Sequence, residues 1–407
     1  MSTKISIQTI GWSIISVIGF IFIVFFAWKT WLGGPLTQAI EYGKQGAFYH
    51  RHNDLQRAEE MYLKSLEAFQ TIADQKGMAK QYGNLGLLYA NRNDLQRAQQ
   101  MYANSLKTFQ AIGNQKGMAS QYSNLGSIYV MAGVLQPAEE MFVNSLKVYQ
   151  TLGSQADIAD QYVNLGNLYH VHGDWQRTEM SYIKSLEINQ ALGRQTKMAE
   201  QYGNLGNLYY SLGDLQRAEA MSLKRLEILQ ALNDKENIAK QYGFLGLVYA
   251  RGNDKQRAEK MYLKSLEINQ ALGHKEQIAI QFNNLGKLYV SRGNLQDAEK
   301  MFLKNLEMNQ ILGHKIEIAN QYSNLGNLYY TAGDLQRAEK MFLGSLEMNQ
   351  TLGRQEEIAN QYGNLGHLYR KRGDLQPAKD NYLKSLEIFS ELGNPNTRRV
   401  QQFLEQL

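Results

Sequence analysis

Residues 81–110 read QYGNLGLLYANRNDLQRAQQMYANSLKTFQ, and this pattern recurs along most of the chain at a fixed interval of forty residues. Self-similarity at such a period is typical of a repeat architecture rather than of one globular core. The pair Gln-Tyr, or once Gln-Phe, marks each copy and begins at positions 81, 121, 161, 201, 241, 281, 321 and 361. The sequence therefore predicts a chain built from one duplicated structural unit.

Each copy has the pattern of two helices separated by a short turn. In the first helix, apolar and small residues recur three or four positions apart, as expected for one helical face: Ala79, Tyr82, Leu85, Gly86 and Tyr89. Asn93 tolerates the left-handed conformation that ends a helix, and Asp94 is a good N-cap for the next. The apolar face of the second helix follows at Leu95, Ala98, Tyr102, Leu106 and Phe109. We therefore predict an all-α chain of helical hairpins.

The order of large, small and aromatic positions in these hairpins resembles the tetratricopeptide repeat. The positions that carry the resemblance are Tyr82, Leu85, Gly86, Tyr89, Ala98, Tyr102 and Ser105. The period is forty residues rather than the usual ~34, and Gln110 stands where a proline is expected. This long form is similar to the repeats of kinesin light chains and Pins-type G-protein modulators, which bind peptides. The resemblance implies a superhelical solenoid of about nine hairpins with a C-terminal capping helix.

The predicted layout has five parts in chain order. They are an N-terminal tail (1–4), a transmembrane helix (5–28), a linker (29–38), the solenoid (39–393) and the capping helix (394–407). The repeat units are expected near residues 39–73, 76–113, 116–153, 156–193, 196–233, 236–273, 276–313, 316–353 and 356–393.

The N-terminal segment 5–28 contains no charged residue. As a helix it would span roughly 36 Å, enough for a hydrocarbon core of ~30 Å. A cleaved secretory signal is the alternative, but its apolar core is usually ~7–15 residues and ends at a small-x-small site, which is not found here. We therefore expect a single-pass membrane protein. Lys4 and Lys29 flank the segment on either side, so the positive-inside rule leaves the side of the repeats undetermined.

Composition argues against several classes of function. The chain has 43 lysine and arginine residues and 38 aspartate and glutamate residues. Because the positive and negative charges nearly balance, we predict no nucleic-acid binding. Cysteine is absent, which excludes disulfides and thiolate metal sites. The histidine pairs His50/His52 and His170/His172 are two residues apart and would point to different helix faces. With no convergent set of titratable groups, we predict no enzyme, no catalytic residue, no metal and no cofactor.

A recurring asparagine is the main candidate for ligand binding. The resemblance implies that the first helices line a concave surface, and this asparagine lies on them. An amide side chain can both donate to and accept from an extended peptide backbone. The alternative is that each amide bonds a neighbouring helix and fixes the repeat spacing. The positions are Asn84, Asn124, Asn164, Asn204, Asn284, Asn324 and Asn364.

The asparagine ladder is broken at Phe244, and this break is a second candidate. Tyr210 and Tyr330 lie on the same predicted face, and Lys240 stands at a position that varies between repeats. An aromatic residue in a groove can serve as an anchor for a partner. Alternatively, Phe244 packs against the adjacent helix.

These features together predict a membrane-anchored scaffold that binds an extended peptide or protein partner in its groove. Two alternatives stay open at this stage. One is a structural protein that self-associates, which a regular repeat makes geometrically easy. The other is an accessory factor that delivers clients to a secretion or signalling complex.

Overall fold

The computed structural model describes residues 34–407, which are helical throughout apart from short turns and contain no strand. The first helix, α1, covers residues 34–51. The others are α2 (Leu55–Thr71), α3 (Gln75–Asn91), α4 (Leu95–Ala111), α5 (Gln115–Met131), α6 (Leu135–Thr151), α7 (Gln155–His172), α8 (Trp175–Ala191), α9 (Gln195–Leu212), α10 (Leu215–Ala231), α11 (Lys235–Arg251), α12 (Lys255–Leu272), α13 (Lys275–Ser291), α14 (Leu295–Leu312), α15 (Lys315–Ala332), α16 (Leu335–Thr351), α17 (Gln355–Arg372), α18 (Leu375–Glu391) and α19 (Asn396–Glu405).

The described residues divide into two compact units, one that ends at Gln201 and one that covers Tyr202–Leu407, called here the N-terminal and the C-terminal unit. Within each unit, an odd-numbered helix and the even-numbered helix after it form a hairpin. Consecutive hairpins then stack on one another. The prediction of an all-α repeat of helical hairpins is confirmed.

The turns have the chemistry that the sequence predicts. Between α3 and α4, Asn93 adopts a positive φ of 59°. Asp94 then caps α4 by accepting a hydrogen bond of 3.1 Å from the backbone N–H of Arg97. Equivalent aspartate caps begin α8, α10, α12 and α16.

The two helices of a hairpin are held together by a close approach and a buried hydrogen bond. A Cβ atom on Gly86 would lie 2.6 Å from the ring of Tyr102, so only glycine allows this contact. Ser105 Oγ donates to the carbonyl oxygen of Ala79 at 2.7 Å, and Ser105 is fully buried. The small positions of the repeat are therefore explained by packing.

Successive hairpins are joined by a tyrosine–glutamate hydrogen bond. Tyr89 donates to Glu59 of the preceding hairpin at 2.6 Å, and the Arg97 guanidinium lies 4.4 Å from the Tyr89 ring centroid. Arg92 also donates to Glu59. The same pair recurs as Tyr169–Glu139, Tyr249–Glu219, Tyr289–Glu259, Tyr329–Glu299 and Tyr369–Glu339. The glutamate near the start of these six second helices therefore has a structural role.

This network should make stability depend on pH. Burial raises the pKa of Glu59, but the hydrogen bonds from Tyr89 and Arg92 outweigh burial and hold that pKa below its ordinary 4.5. A lowered carboxyl pKa stabilises the fold above about pH 4.5, and this contribution disappears as the pH falls through the folded-state pKa. We expect Glu59→Gln to lower the melting temperature at pH 7 and to have less effect near pH 3. Melting curves of both proteins between these pH values test this, and an equal difference at both ends would contradict it.

The last helix covers the end of the final hairpin. Val400 of α19 is buried against Tyr382 and Phe389 of α18, and Phe403 and Leu404 pack beside it. The apolar side of α18 is thereby shielded from water, as a capping element requires.

The predicted transmembrane helix, residues 5–28, lies outside the described residues. Among residues 34–407, no helix has a stretch both long enough and apolar enough to cross a membrane. The hairpin helices have only 17 or 18 residues, and those such as α12 carry lysine, arginine and glutamate along their exposed faces. This finding overturns the prediction of a single-pass membrane location.

Candidate functional site

In the N-terminal unit, the first helices α1, α3 and α5 border a groove of about 570 Å³, called here the A-face groove. Lys44 comes from α1, Lys80 and Asn84 come from α3, and Asn124 comes from α5. Two members of the predicted asparagine ladder are thus brought to one cavity. The other lining residues are Ile40, Gly43, Ala47, Phe69, Gln81, Gly83, Leu87, Tyr102, Phe109 and Gln121.

The ladder asparagines use their N–H groups inside the protein. Asn84 Nδ2 donates to Gln81 Oε1, one turn earlier on the same helix, at 3.1 Å. Asn124, Asn164, Asn324 and Asn364 make the equivalent bond at 3.3–3.4 Å. Asn164 also donates to Ser123 of the preceding hairpin at 3.1 Å. These bonds fix side-chain orientation and, at Asn164, link neighbouring first helices.

The amide oxygens of the ladder have a different environment. In the part of the chain that the structure describes, no hydrogen bond reaches the Oδ1 atom of five of these asparagines. All five are half-buried, so the oxygen can accept from a ligand without first breaking an internal bond. They are Asn84, Asn124, Asn164, Asn324 and Asn364. The predicted ligand role of the ladder remains a prediction, and it now depends on the amide oxygen rather than on the N–H groups.

The glutamine of the Gln-Tyr pair was missed by sequence reasoning. In five hairpins this glutamine is buried, and its Oε1 atom accepts a hydrogen bond from the asparagine three residues later. These glutamines are Gln81, Gln121, Gln161, Gln321 and Gln361. Spacing of three residues on one helix is itself the signal that could have identified this pairing.

In the C-terminal unit, Phe244 occupies the ladder position on α11. Its ring centroid lies 5.5 Å from that of Tyr210, in an edge-to-face arrangement. Its Cε1 atom is 3.7 Å from where a Cβ on Gly206 would be. Ser222 of α10 stands where other hairpins have a tyrosine or phenylalanine over this glycine. Phe244 therefore fills the space that the missing aromatic side chain of α10 leaves.

One turn before Phe244, a buried polar atom has no hydrogen-bond partner among the described residues. Gln241 is 1% exposed, and its Oε1 atom has no hydrogen-bond donor within residues 34–407. At the corresponding place in α3, that donor is Asn84, whereas in α13 the oxygen of Gln281 also lacks a donor from the described part of the chain, although Asn284 follows it. The packing interpretation of Phe244 is thus favoured by its contacts, while the anchor interpretation has no contact that requires it.

The remaining predicted residues lie on first helices of the C-terminal unit. Lys240 forms an exposed ion pair with Glu236 at 2.5 Å. The ring of Tyr330 lies 4.4 Å from the Lys371 ammonium. Asn204 and Asn284 are half-buried at the ladder positions of α9 and α13.

No metal centre is evident in residues 34–407, because no group of three or more histidine or acidic side chains is arranged to hold an ion.

The stacked hairpins and their glycine–aromatic and tyrosine–glutamate contacts define a helical-hairpin repeat protein. A sequence model described as tetratricopeptide repeat matches residues 157–231, 197–271, 276–351 and 317–391. These matches cover more than half of the chain, and the chain belongs to the tetratricopeptide repeat family.

Solved structures show the same fold at low sequence identity. A signal transduction ATPase with numerous domains and a tetratricopeptide repeat sensor, from Pyrococcus horikoshii, is 16% identical, with a TM-score of 0.61 over 89% of this chain and 55% of that chain. Aspartyl phosphate phosphatase F from Bacillus subtilis is 11% identical, with a TM-score of 0.54 over 86% of this chain and 93% of that chain.

A putative kinesin light chain with nearly identical TPR-like repeats, from Podosopora anserina, is 15% identical, with a TM-score of 0.43 over 48% of this chain and 95% of that chain. Comparison with curated protein sequences gives no match to this chain.

Proposed function

We propose that this protein is a non-catalytic scaffold that binds an extended segment of a protein partner in the A-face groove. The observation that carries the proposal is the groove itself, in which the amide oxygens of Asn84 and Asn124 are left open beside Lys44 and Lys80. An extended peptide offers backbone N–H groups to such oxygens and carbonyl groups to the ammonium donors. Both kinds of backbone group therefore find a partner in one cavity.

The charge of the groove favours a segment that is acidic or ends in a carboxylate. Lys80 is exposed and forms no salt bridge within residues 34–407. Lys44 lies 4.0 Å from Glu41, and both side chains are more than half exposed, so this ion pair is weak. The two ammonium groups are therefore available to a ligand anion.

In the C-terminal unit, we extend the proposal to the ladder positions and to three other side chains of the first helices. Asn324 and Asn364 have the same internal bond to glutamine as the groove asparagines. The proposed contact residues there are Asn204, Phe244, Asn284, Asn324, Asn364, Tyr210, Tyr330 and Lys240.

The test is peptide selection on the full-length protein, with random peptides displayed on phage, followed by affinity measurements on the enriched peptides. The paired change Asn84→Ala and Asn124→Ala removes both open oxygens. Each hydrogen bond contributes about 0.5–1.5 kcal/mol, so we expect affinity to fall roughly tenfold. The matched control is Asn104→Ala with Asn144→Ala, which removes the same residue type from second helices outside the groove.

Each variant must first show the helical circular dichroism of the wild type. Equal affinity of the wild type, the groove variant and the control would contradict the proposal. If no peptide is enriched and sedimentation gives a mass that rises with concentration, self-association becomes the better account.

A further inference from the structure

In five hairpins, a lysine of the second helix covers an aromatic ring of the first. The ammonium nitrogen lies 4.9–5.5 Å from the ring centroid, which is the range of a cation–π contact. The pairs are Lys184–Tyr162, Lys224–Tyr202, Lys264–Tyr242, Lys304–Phe282 and Lys384–Tyr362.

The hairpin of α15 and α16 has a glycine at this position. Every other hairpin of residues 34–393 has lysine or asparagine there, whereas Gly344 supplies no side chain. A Cβ at this position would lie 3.7 Å from the ring of Tyr322, so position 344 supplies no side chain to cover that ring. A cavity of about 630 Å³ opens at this place, with Ile318 and Met348 among its apolar walls.

We infer that this cavity binds a lysine side chain presented by a protein partner. The methylene groups would lie along Met341, Met348 and Leu352, and the ammonium group would lie over Tyr322. The lysines of the five sibling hairpins occupy this position in their own repeats and show which chemistry it accepts. This site is separate from the A-face groove and does not depend on it.

One acidic side chain at the cavity is available to the same occupant. Glu347 lines it, and its carboxylate forms no salt bridge with any residue between 34 and 407. An incoming ammonium group would form an exposed ion pair with this carboxylate, which adds little to affinity beside the contact with the ring.

Two lysines at the cavity, Lys315 and Lys340, do not exclude a third ammonium group. Forty residues earlier, Lys275 and Lys300 hold the equivalent positions. In that hairpin Lys304 nevertheless lies 5.4 Å from the ring of Phe282.

The experiment uses full-length protein carrying ¹³C-methyl methionine, titrated with an acetylated, amidated Ala-Lys-Ala peptide. We expect the methyl signals of Met341 and Met348 to shift and saturate. A peptide with norleucine in place of lysine keeps the methylene chain but lacks the charge. Its affinity should be about two- to fivefold lower, the value of an exposed cation–π contact.

The variant Gly344→Lys restores the consensus lysine and should abolish the shifts. The converse variant Lys264→Ala uncovers Tyr242 and should give a new shift at Met261. Equal affinity for both peptides would overturn the inference in favour of an apolar occupant. It would also be overturned if the lysine peptide gives no shift, or if the shifts persist in Gly344→Lys.

Discussion

Replacing Gly246 with alanine is expected to lower the free energy of unfolding by about 1–3 kcal/mol, the usual cost of overpacking. A Cβ atom at this position would lie 2.4 Å from the ring of Tyr262. Tyr262 is 2% exposed and packed on all sides, so the ring has no free space to move into. Urea denaturation followed by circular dichroism measures the effect.

The matched control is the same change at Gly206, which has the same register one repeat earlier. There the nearest atom to a new Cβ is Ser222 Oγ at 3.4 Å, an ordinary van der Waals distance. Alanine is favoured over glycine inside a helix by about 1 kcal/mol, so Gly206→Ala should leave stability unchanged or raise it. If both variants lose the same stability, the aromatic ring over the glycine is not the cause.

The helical hairpins and their turns could be predicted from sequence because local chemistry determines them. The apolar spacing around Tyr82 and Leu85 defines one helix face, and Asn93–Asp94 ends one helix and caps the next. These signals lie within a few residues of one another, and forty-residue repetition reinforces them. The structure accordingly confirms the all-α repeat.

The candidate site was harder to predict from the sequence, because it depends on which hydrogen-bonding atoms remain without an internal partner. The sequence shows that Asn84 is repeated, but only the structure shows that its N–H group is bound to Gln81 while its oxygen is not. Similarly, the glycine at position 344 is visible in the sequence. The uncovered Tyr322 ring becomes evident only when α15 and α16 are packed together.

The membrane prediction failed for a different reason. It rested entirely on the apolar residues 5–28, which lie outside the described residues, and no helix of residues 34–407 is long and apolar enough to cross a bilayer.

Phe244 and Ser222 come from different hairpins, and their relationship leads to a double-mutant prediction. Ser222→Tyr alone should cost about 1–3 kcal/mol, because the new ring enters space near Gly206 that Phe244 already fills. Phe244→Asn alone should cost roughly 2–3 kcal/mol, because it removes a half-buried ring beside the small Ser222.

The double variant restores the aromatic–asparagine combination of the other hairpins and should lose clearly less stability than the sum of the two single losses, since residues in contact can couple by up to ~3 kcal/mol. Urea denaturation of the four proteins at constant pH and salt gives the coupling free energy directly. A double variant whose loss equals the sum of the two single losses would show that Phe244 does not replace the aromatic ring of α10, and its role as an exposed anchor would then become the stronger hypothesis.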